Sequence, residues 1–188
     1  MKKIIAICGS KRSGKDTLAT LICNNFTEFE HVKISSKLKV MCQTLFNFTQ
    51  DQIESDLKDE IDPRWHITPR KAMQFMGTEI MQYKIQDLLG TSIGREFWIN
   101  SLIESFDDCR SYIISDLRFH HEYKRIKQMG GVIIKVVDND MINSDDHISE
   151  NEFQHFPMVD FIVDNTGRKN DLSPEVFRIM RSLHYLPS

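Results

Sequence analysis

Short apolar runs alternate along the chain with longer stretches in which apolar residues recur every three or four positions. "KIIAIC" (3–8) is the first run, and it stops at Gly9. A short apolar run bounded by glycine predicts a buried strand. From Lys15 to Phe26, Leu18, Leu21, Ile22 and Phe26 fall at helical spacing. "HVKIS" (31–35) predicts a second strand, and residues 36–48 carry Leu38, Met41, Leu45 and Phe48 on one helical stripe. Residues 49–67 are polar and charge-mixed, as in a short helix and a surface connection. A helix over 68–89 opens with Thr68 as N-cap and Pro69 at its first position. Gly77 interrupts it, at about 1 kcal/mol relative to alanine. Residues 95–106 predict a further amphipathic helix. "SYIISD" (111–116) predicts a third strand ending in a carboxylate, 119–131 a helix closed by glycines, and "VIIKVV" (132–137) a fourth strand. Residues 138–158 are polar and irregular, "DFIVDN" (160–165) predicts a fifth strand, and 173–186 a last helix with a Ser-Pro start.

Strands alternating with helices imply right-handed crossovers and a parallel sheet covered on both faces, so the predicted class is α/β. Ligands in such sheets sit beyond the carboxyl ends of the strands. The loops at 9–17, 116–122, 138–152 and 165–168 should therefore converge on one edge.

Composition narrows the picture. The 188 residues suit one domain, with 40% hydrophobic and 27% charged residues as in a globular protein. A net charge of −3 argues against general nucleic-acid affinity. Cys8, Cys23, Cys42 and Cys109 lie far apart without C-x-x-C spacing, which disfavours a zinc site or a disulfide framework. The first apolar run is too short for a signal peptide, and no run approaches a membrane span. The expected compartment is the cytosol.

"CGSKRSGKDT" (8–17) matches G-x-x-x-x-G-K, with Gly9, Gly14 and Lys15 in register. The usual next residue is Ser or Thr, whose hydroxyl holds magnesium; here it is Asp16. The loop follows a predicted strand and opens a helix, as the mechanism requires. Backbone N–H groups then form an anion nest at a helix N-terminus, and Lys15 reaches the terminal phosphates. The expected nucleotide contacts are Gly9, Lys11, Arg12, Ser13, Gly14, Lys15, Asp16 and Thr17, with Asn165 in the turn after strand five near the base. Asp16 reads either as a first-turn acid favouring the helix dipole or as a hard oxygen ligand for magnesium.

Asp116, at the expected end of strand three, resembles the acidic element that orients magnesium or a proton-accepting water. Arg118 suits two-point phosphate binding. Glu122, four residues on, could hold Arg118 or contact a sugar hydroxyl. His120 and His121 read as helix-start surface residues. Arg70, Gln74 and Thr78 are spaced by four and share a helical face suited to a phosphate and a base edge. The long connection before strand five offers His147, Ser149 and Glu150 as lid or binding-loop residues.

Several motifs coincide with one family: "KRSGKDT" (11–17), "PRKAMQFMGTE" (69–79), "REFW" (95–98), "SDLRFHHE" (115–122), "GGVIIKVV" (130–137), "DHISE" (146–150) and "DFIVDN" (160–165). In this order they resemble the deoxynucleoside monophosphate kinases of bacteriophages and other large DNA viruses, where an Asp after the loop lysine is itself a trait. The resemblance implies a P-loop nucleoside monophosphate kinase-like three-layer fold over 1–188. Its five-stranded parallel sheet would be ordered 2-3-1-4-5, with an acceptor-binding helical region at about 36–106 and a lid at about 138–158. It implies transfer of the γ-phosphoryl group of ATP to a deoxynucleoside monophosphate (dTMP, dGMP or a cytosine analogue), with Mg2+. Carried over, Lys15, Arg70, Asp116 and Arg118 are catalytic. Asp16, Thr17 and Asp116 lie by the metal, and Lys39, Arg70, Gln74, Thr78, Trp98, Arg118, Glu122 and Glu150 contact the acceptor. The family's Arg after strand four is replaced here by Asp138, so Arg168 or Arg12 must serve. The expected partner is a small-molecule monophosphate, with no nucleic acid and no membrane; a homodimer is compatible. For a viral protein the compartment is the host cytoplasm.

Two other readings stay open at this point. Phosphomevalonate kinases of the animal type and dephospho-coenzyme A kinases share the loop or the architecture, but match "MGTE" together with "SDLRFHHE" less well. A nucleotide-dependent switch would show an N-K-x-D base-reading sequence, which does not occur, and a D-x-x-G after the third strand, where Asp116 is instead followed by Leu-Arg-Phe.

Overall fold

The computed structural model describes residues 3–90, 92–138, 152–167 and 171–185. The chain divides into two compact units, one formed by 1–33 with 106–188 and the other by 34–105.

The first unit is built on a five-stranded sheet: β1 (Ile4–Gly9), β2 (Phe29–Val32), β3 (Ser111–Ile114), β4 (Val132–Val137) and β5 (Phe161–Asp164). All neighbours are parallel, and the order is β2-β3-β1-β4-β5. Every residue of β1 is buried, because helices cover both sheet faces. Ile5 and Ile7 alternate inward with Ile113, Ile134, Val136 and Val163, against α1 (Lys15–Asn25) and α8 (Ser173–Ser182). On the other side α7 (His120–Gln128) packs beside β4. The order reverses about β1, so the loop after β1 lies at the point where such sheets bind ligands.

Two strands differ from the sequence reading. β2 begins at Phe29, paired with Ser111, and ends at Val32 rather than spanning 31–35. Pairing with β3 fixes its limits, and Ile34 already belongs to the second unit. β3 ends at Ile114, which leaves Asp116 two residues beyond the strand instead of at its end.

The second unit holds α2 (Ser36–Phe46), α3 (Gln50–Glu54), α4 (Pro69–Gln74), α5 (Ile85–Leu89) and α6 (Phe97–Ile103). Its core gathers Cys42, Phe48, Ile53 and Ala72, with Leu38, Met41 and Met76 against them. Thr49 caps α3 in a reciprocal capping box with Gln52. Thr68 accepts from the Lys71 N–H, and Pro69 occupies the first turn of α4, as expected. Between α4 and α5, residues Phe75–Lys84 wind as a wide π-helical segment. Gly77 therefore does not break the helix. It is buried where a Cβ would come within 2.6 Å of Leu38 Cδ2. The carbonyl of Gly77 accepts from the Trp98 indole at 2.8 Å.

Candidate functional site

The phosphate loop takes the form its glycines demand. Gly9 has φ 150°, and a Cβ there would run into the Val136 carbonyl and lie 2.9 Å from Ser13 Oγ. Gly14 has φ 98°, and a Cβ there would lie 2.7 Å from the Asn165 amide nitrogen. Arg12 also takes a left-handed conformation, with φ 64°. Such alternation turns successive N–H groups toward one concavity, and α1 begins directly behind it. Arg12, Gly14, Lys15, Asp16 and Thr17 line a cleft of about 180 Å³. The Lys15 ammonium donates to the carbonyls of Gly9 at 2.8 Å and Ser10 at 2.5 Å. Lys11 and Arg12 are exposed, whereas Ser13 is fully buried.

Asp16 stands on the first turn of α1. One oxygen, Oδ1, accepts from Ser115 Oγ at 2.5 Å, and Oδ2 pairs with Lys33 Nζ at 3.0 Å. Burial by itself would raise this carboxyl, but those hydrogen bonds and the Lys33 charge outweigh it and hold the group below its ordinary value. Behind Ser115, His31 Nε2 lies 2.8 Å from the hydroxyl. Ser115, His31 and Lys33 were given no role in the sequence reading, although Ser115 opens "SDLRFHHE" and the other two lie in "HVKIS". They come from the ends of β3 and β2, and no local pattern announces them.

Asn165 sits where β5 ends. It is buried; its backbone N–H donates to the Val137 carbonyl at 2.7 Å and its amide to the Ser13 carbonyl at 3.0 Å. The side chain thus holds the phosphate loop itself.

Past β3, Asp116 is half-buried and Arg118 is exposed. Glu122 is buried, and its Oε2 accepts from the backbone N–H of Arg118 at 2.9 Å and of Phe119 at 3.0 Å. Burial pushes its carboxyl up to about 8, even though both N–H groups act in the opposite direction. Glu122 holds the loop that carries Asp116 and Arg118, in place of the sugar contact the sequence allowed. Burial also pushes the Cys8 thiol up to about 12.

Residues 152–158, the end of the expected lid, pack within the first unit. Phe153 is buried, Glu152 accepts from the His120 N–H at 2.9 Å, and the Phe156 ring meets Tyr123. His147, Ser149, Glu150 and Arg168 lie outside the described residues.

In the second unit, Arg70, Gln74 and Thr78 are half-buried along one helix. The Arg70 guanidinium forks onto Asp59: Nε faces Oδ1, and Nη2 donates to Oδ2 at 2.9 Å. Four residues past Thr78, the polar series continues at Gln82, which is buried. The spacing already contained this residue, and the sequence reading stopped short of it. Lys39 pairs with Glu54 at 2.7 Å. Trp98 is buried with its N–H engaged, so it supports the π-helical segment and offers little ring face to a ligand.

Among the described residues, no three His, Cys, Asp or Glu side chains are grouped to hold a metal unaided. Magnesium fits such a site, because it commonly takes one or two carboxylates and completes its shell with substrate phosphates and water. Asp16, Thr17 and Asp116 supply hard oxygen atoms of the right kind. No helix among the described residues is long and apolar enough to cross a membrane.

Fold and loop together define a P-loop nucleoside monophosphate kinase-like protein. The profile of the deoxynucleotide monophosphate kinase family matches residues 31–176, and the chain belongs to that family. It is 28% identical over 172 residues to a protein of Acanthamoeba polyphaga mimivirus provisionally named a deoxynucleotide monophosphate kinase, a match covering 86% of this chain and 88% of the relative. Its fold is similar to that of the dephospho-CoA kinase of Campylobacter jejuni (TM-score 0.51, 14% identity, 97% of this chain and 98% of the other). It is also similar to a provisionally named kinase of Chloroflexus aurantiacus (TM-score 0.50, 11% identity, 97% and 96%). The chain is a nucleotide kinase, a phosphotransferase acting on a small-molecule nucleotide.

Proposed function

We propose that this kinase transfers the γ-phosphoryl group of ATP, as its magnesium complex, to a deoxynucleoside monophosphate and releases ADP and the deoxynucleoside diphosphate. The observation that carries the reading is the loop. Gly9, Arg12 and Gly14 turn the backbone into an anion nest, with Lys15 at its mouth and α1 behind it. Membership of the deoxynucleotide monophosphate kinase family points the acceptor side toward deoxynucleotides.

The division of labour follows from phosphoryl-transfer physics. The transition state is loose and highly charged, so the protein positions groups and neutralises charge. Lys15 would leave the Gly9 and Ser10 carbonyls for the β- and γ-phosphates. Arg12 and Lys11 add exposed positive charge beside the nest. Arg118, on a loop fixed by Glu122, neutralises the transferring group. Arg70 binds the acceptor phosphate with the fork it now offers Asp59, and Gln74 and Thr78 bind the rest of the acceptor. Magnesium, held with Asp16, Thr17 and Asp116, would screen the phosphate charge.

The test is ADP release with ATP and magnesium across a panel of acceptors: the deoxynucleoside monophosphates, their ribose counterparts and mevalonate 5-phosphate. The expected result is release that requires a deoxynucleoside monophosphate. Release driven only by mevalonate 5-phosphate, or indifferent to every acceptor, contradicts the reading.

A further inference from the structure

Asp16 is held unequally at its two oxygens. Lys33, on the Oδ2 side, keeps 31% of its side chain exposed and Asp16 keeps 63%, so water competes for their ion pair. Pairs of this kind contribute little and exchange readily. On the Oδ1 side stands Ser115, which is 1% exposed. A hydroxyl that donates to a carboxylate makes a short, charge-assisted bond, and here the donor itself is closed to water.

The direction of the protons is determined. A carboxylate only accepts, so the Ser115 hydrogen points to Asp16 Oδ1. The 2.8 Å contact between His31 Nε2 and Ser115 Oγ then needs its hydrogen from the ring, so His31 carries a proton on Nε2. His31 lies 3.9 Å from Asp16 Oδ1, outside hydrogen-bond range. Its hydrogen bonding reaches the carboxylate through the serine, by fixing the hydroxyl in one rotamer, and its charge when protonated adds a direct pull at that distance. The chain His31–Ser115–Asp16 links the ends of β2 and β3 to the first turn of α1.

We propose that Ser115 is a positioning residue for Asp16: it fixes the carboxylate through Oδ1 and leaves Oδ2, with its exchangeable Lys33 partner, to face the metal–nucleotide complex. His31 is the support behind it. The inference rests on the reading of Asp16 as the carboxylate at the magnesium–nucleotide site. It explains how an aspartate can stand where a short hydroxyl is usual: a longer, freely rotating carboxylate needs an outside anchor to hold one orientation.

The test is ADP binding by calorimetry, with excess magnesium and again with EDTA, for wild type, Ser115→Ala, Ser115→Thr, Asp16→Asn and the Ser115→Ala/Asp16→Asn pair. Thermal melts are recorded alongside. Ser115→Ala is expected to weaken magnesium–ADP binding roughly tenfold, the scale of one hydrogen bond to a charged group. Binding in EDTA should stay within about twofold, and threonine, which keeps the hydroxyl, should restore most of the loss. In the Asp16→Asn background the alanine should add less than about twofold, the mark of a residue acting through another. His31→Leu keeps the serine and should weaken magnesium–ADP binding in the same direction, so the proposal stays testable even where Ser115→Ala folds poorly. If Ser115→Ala or His31→Leu lowers the melting temperature but leaves magnesium–ADP binding at the wild-type value, the role is structural and the proposal is overturned. If wild-type binding is itself indifferent to magnesium, or to Asp16→Asn, the reading of Asp16 fails first.

Discussion

Arg70 and Asp59 face each other as a two-point fork, with Nη2 donating to Oδ2 at 2.9 Å and Nε opposite Oδ1. A carboxylate there takes the geometry in which a guanidinium binds a phosphate. Lysine presents a point charge and cannot reproduce the fork. Arg70→Lys should therefore raise KM for the acceptor roughly tenfold or more, about 1.4 kcal/mol, and leave KM for ATP within about twofold. Asp59→Asn weakens the competing carboxylate and should lower the acceptor KM. Steady-state kinetics with each substrate varied in turn checks both.

Asn165 offers the complementary case on the donor side. Its amide holds the Ser13 carbonyl, and its nitrogen sits where a Cβ on Gly14 would have to go. Asn165→Ala should raise KM for ATP several-fold, with little change in KM for the acceptor, since the loop loses its brace. Gly14→Ala meets both the clash and a left-handed φ of 98°, and should abolish measurable ATP binding while the fold persists in circular dichroism.

These two residues mark how much the sequence disclosed. The loop was legible because strand, glycines, lysine and helix are contiguous, and their physics is local. The parallel α/β class followed from alternation, and the order of the sheet from the family resemblance. The anchoring of Asp16 was not legible, because Ser115 is 99 residues away and Lys33 17. β2 was placed two residues late because Val32 and Ile34 alternate in "HVKIS", whereas its limits are set by pairing with β3. Glu122 read either as holding Arg118 or as contacting a sugar hydroxyl, because a role as backbone acceptor is usually signalled by Ser or Thr three residues earlier. Here that position is Phe119. The helix from Thr68 read as interrupted at Gly77, and its π-helical winding there was not legible, since that depends on packing such as that of Gly77 on Leu38 and Trp98.

Trp98 tests the packing of the second unit. Trp98→Phe keeps an aromatic ring but removes the donor to the Gly77 carbonyl, which is buried. An unsatisfied buried acceptor costs about 1–3 kcal/mol. Urea denaturation should show a loss of that size, and Gly77→Ala, which presses on Leu38, should add to it.

Glu122 makes stability depend on pH in a defined direction. Its carboxyl titrates near 4.5 in an unfolded chain and is pushed up to about 8 in the fold. Between these values the folded state binds the extra proton, so stability falls as pH rises through the window. The melting temperature of the wild type should therefore drop relative to Glu122→Gln from about pH 5 to pH 8. Parallel curves would place the Glu122 titration elsewhere.

The most direct measurement follows the phosphoryl group itself, with ATP labelled at the γ-position, magnesium and each deoxynucleoside monophosphate in turn. The account predicts label in a deoxynucleoside diphosphate for at least one acceptor, little label in free phosphate, and a loss of roughly a hundredfold or more with Lys15→Ala. Label that goes only to free phosphate with every acceptor, or undiminished transfer by Lys15→Ala, would contradict it.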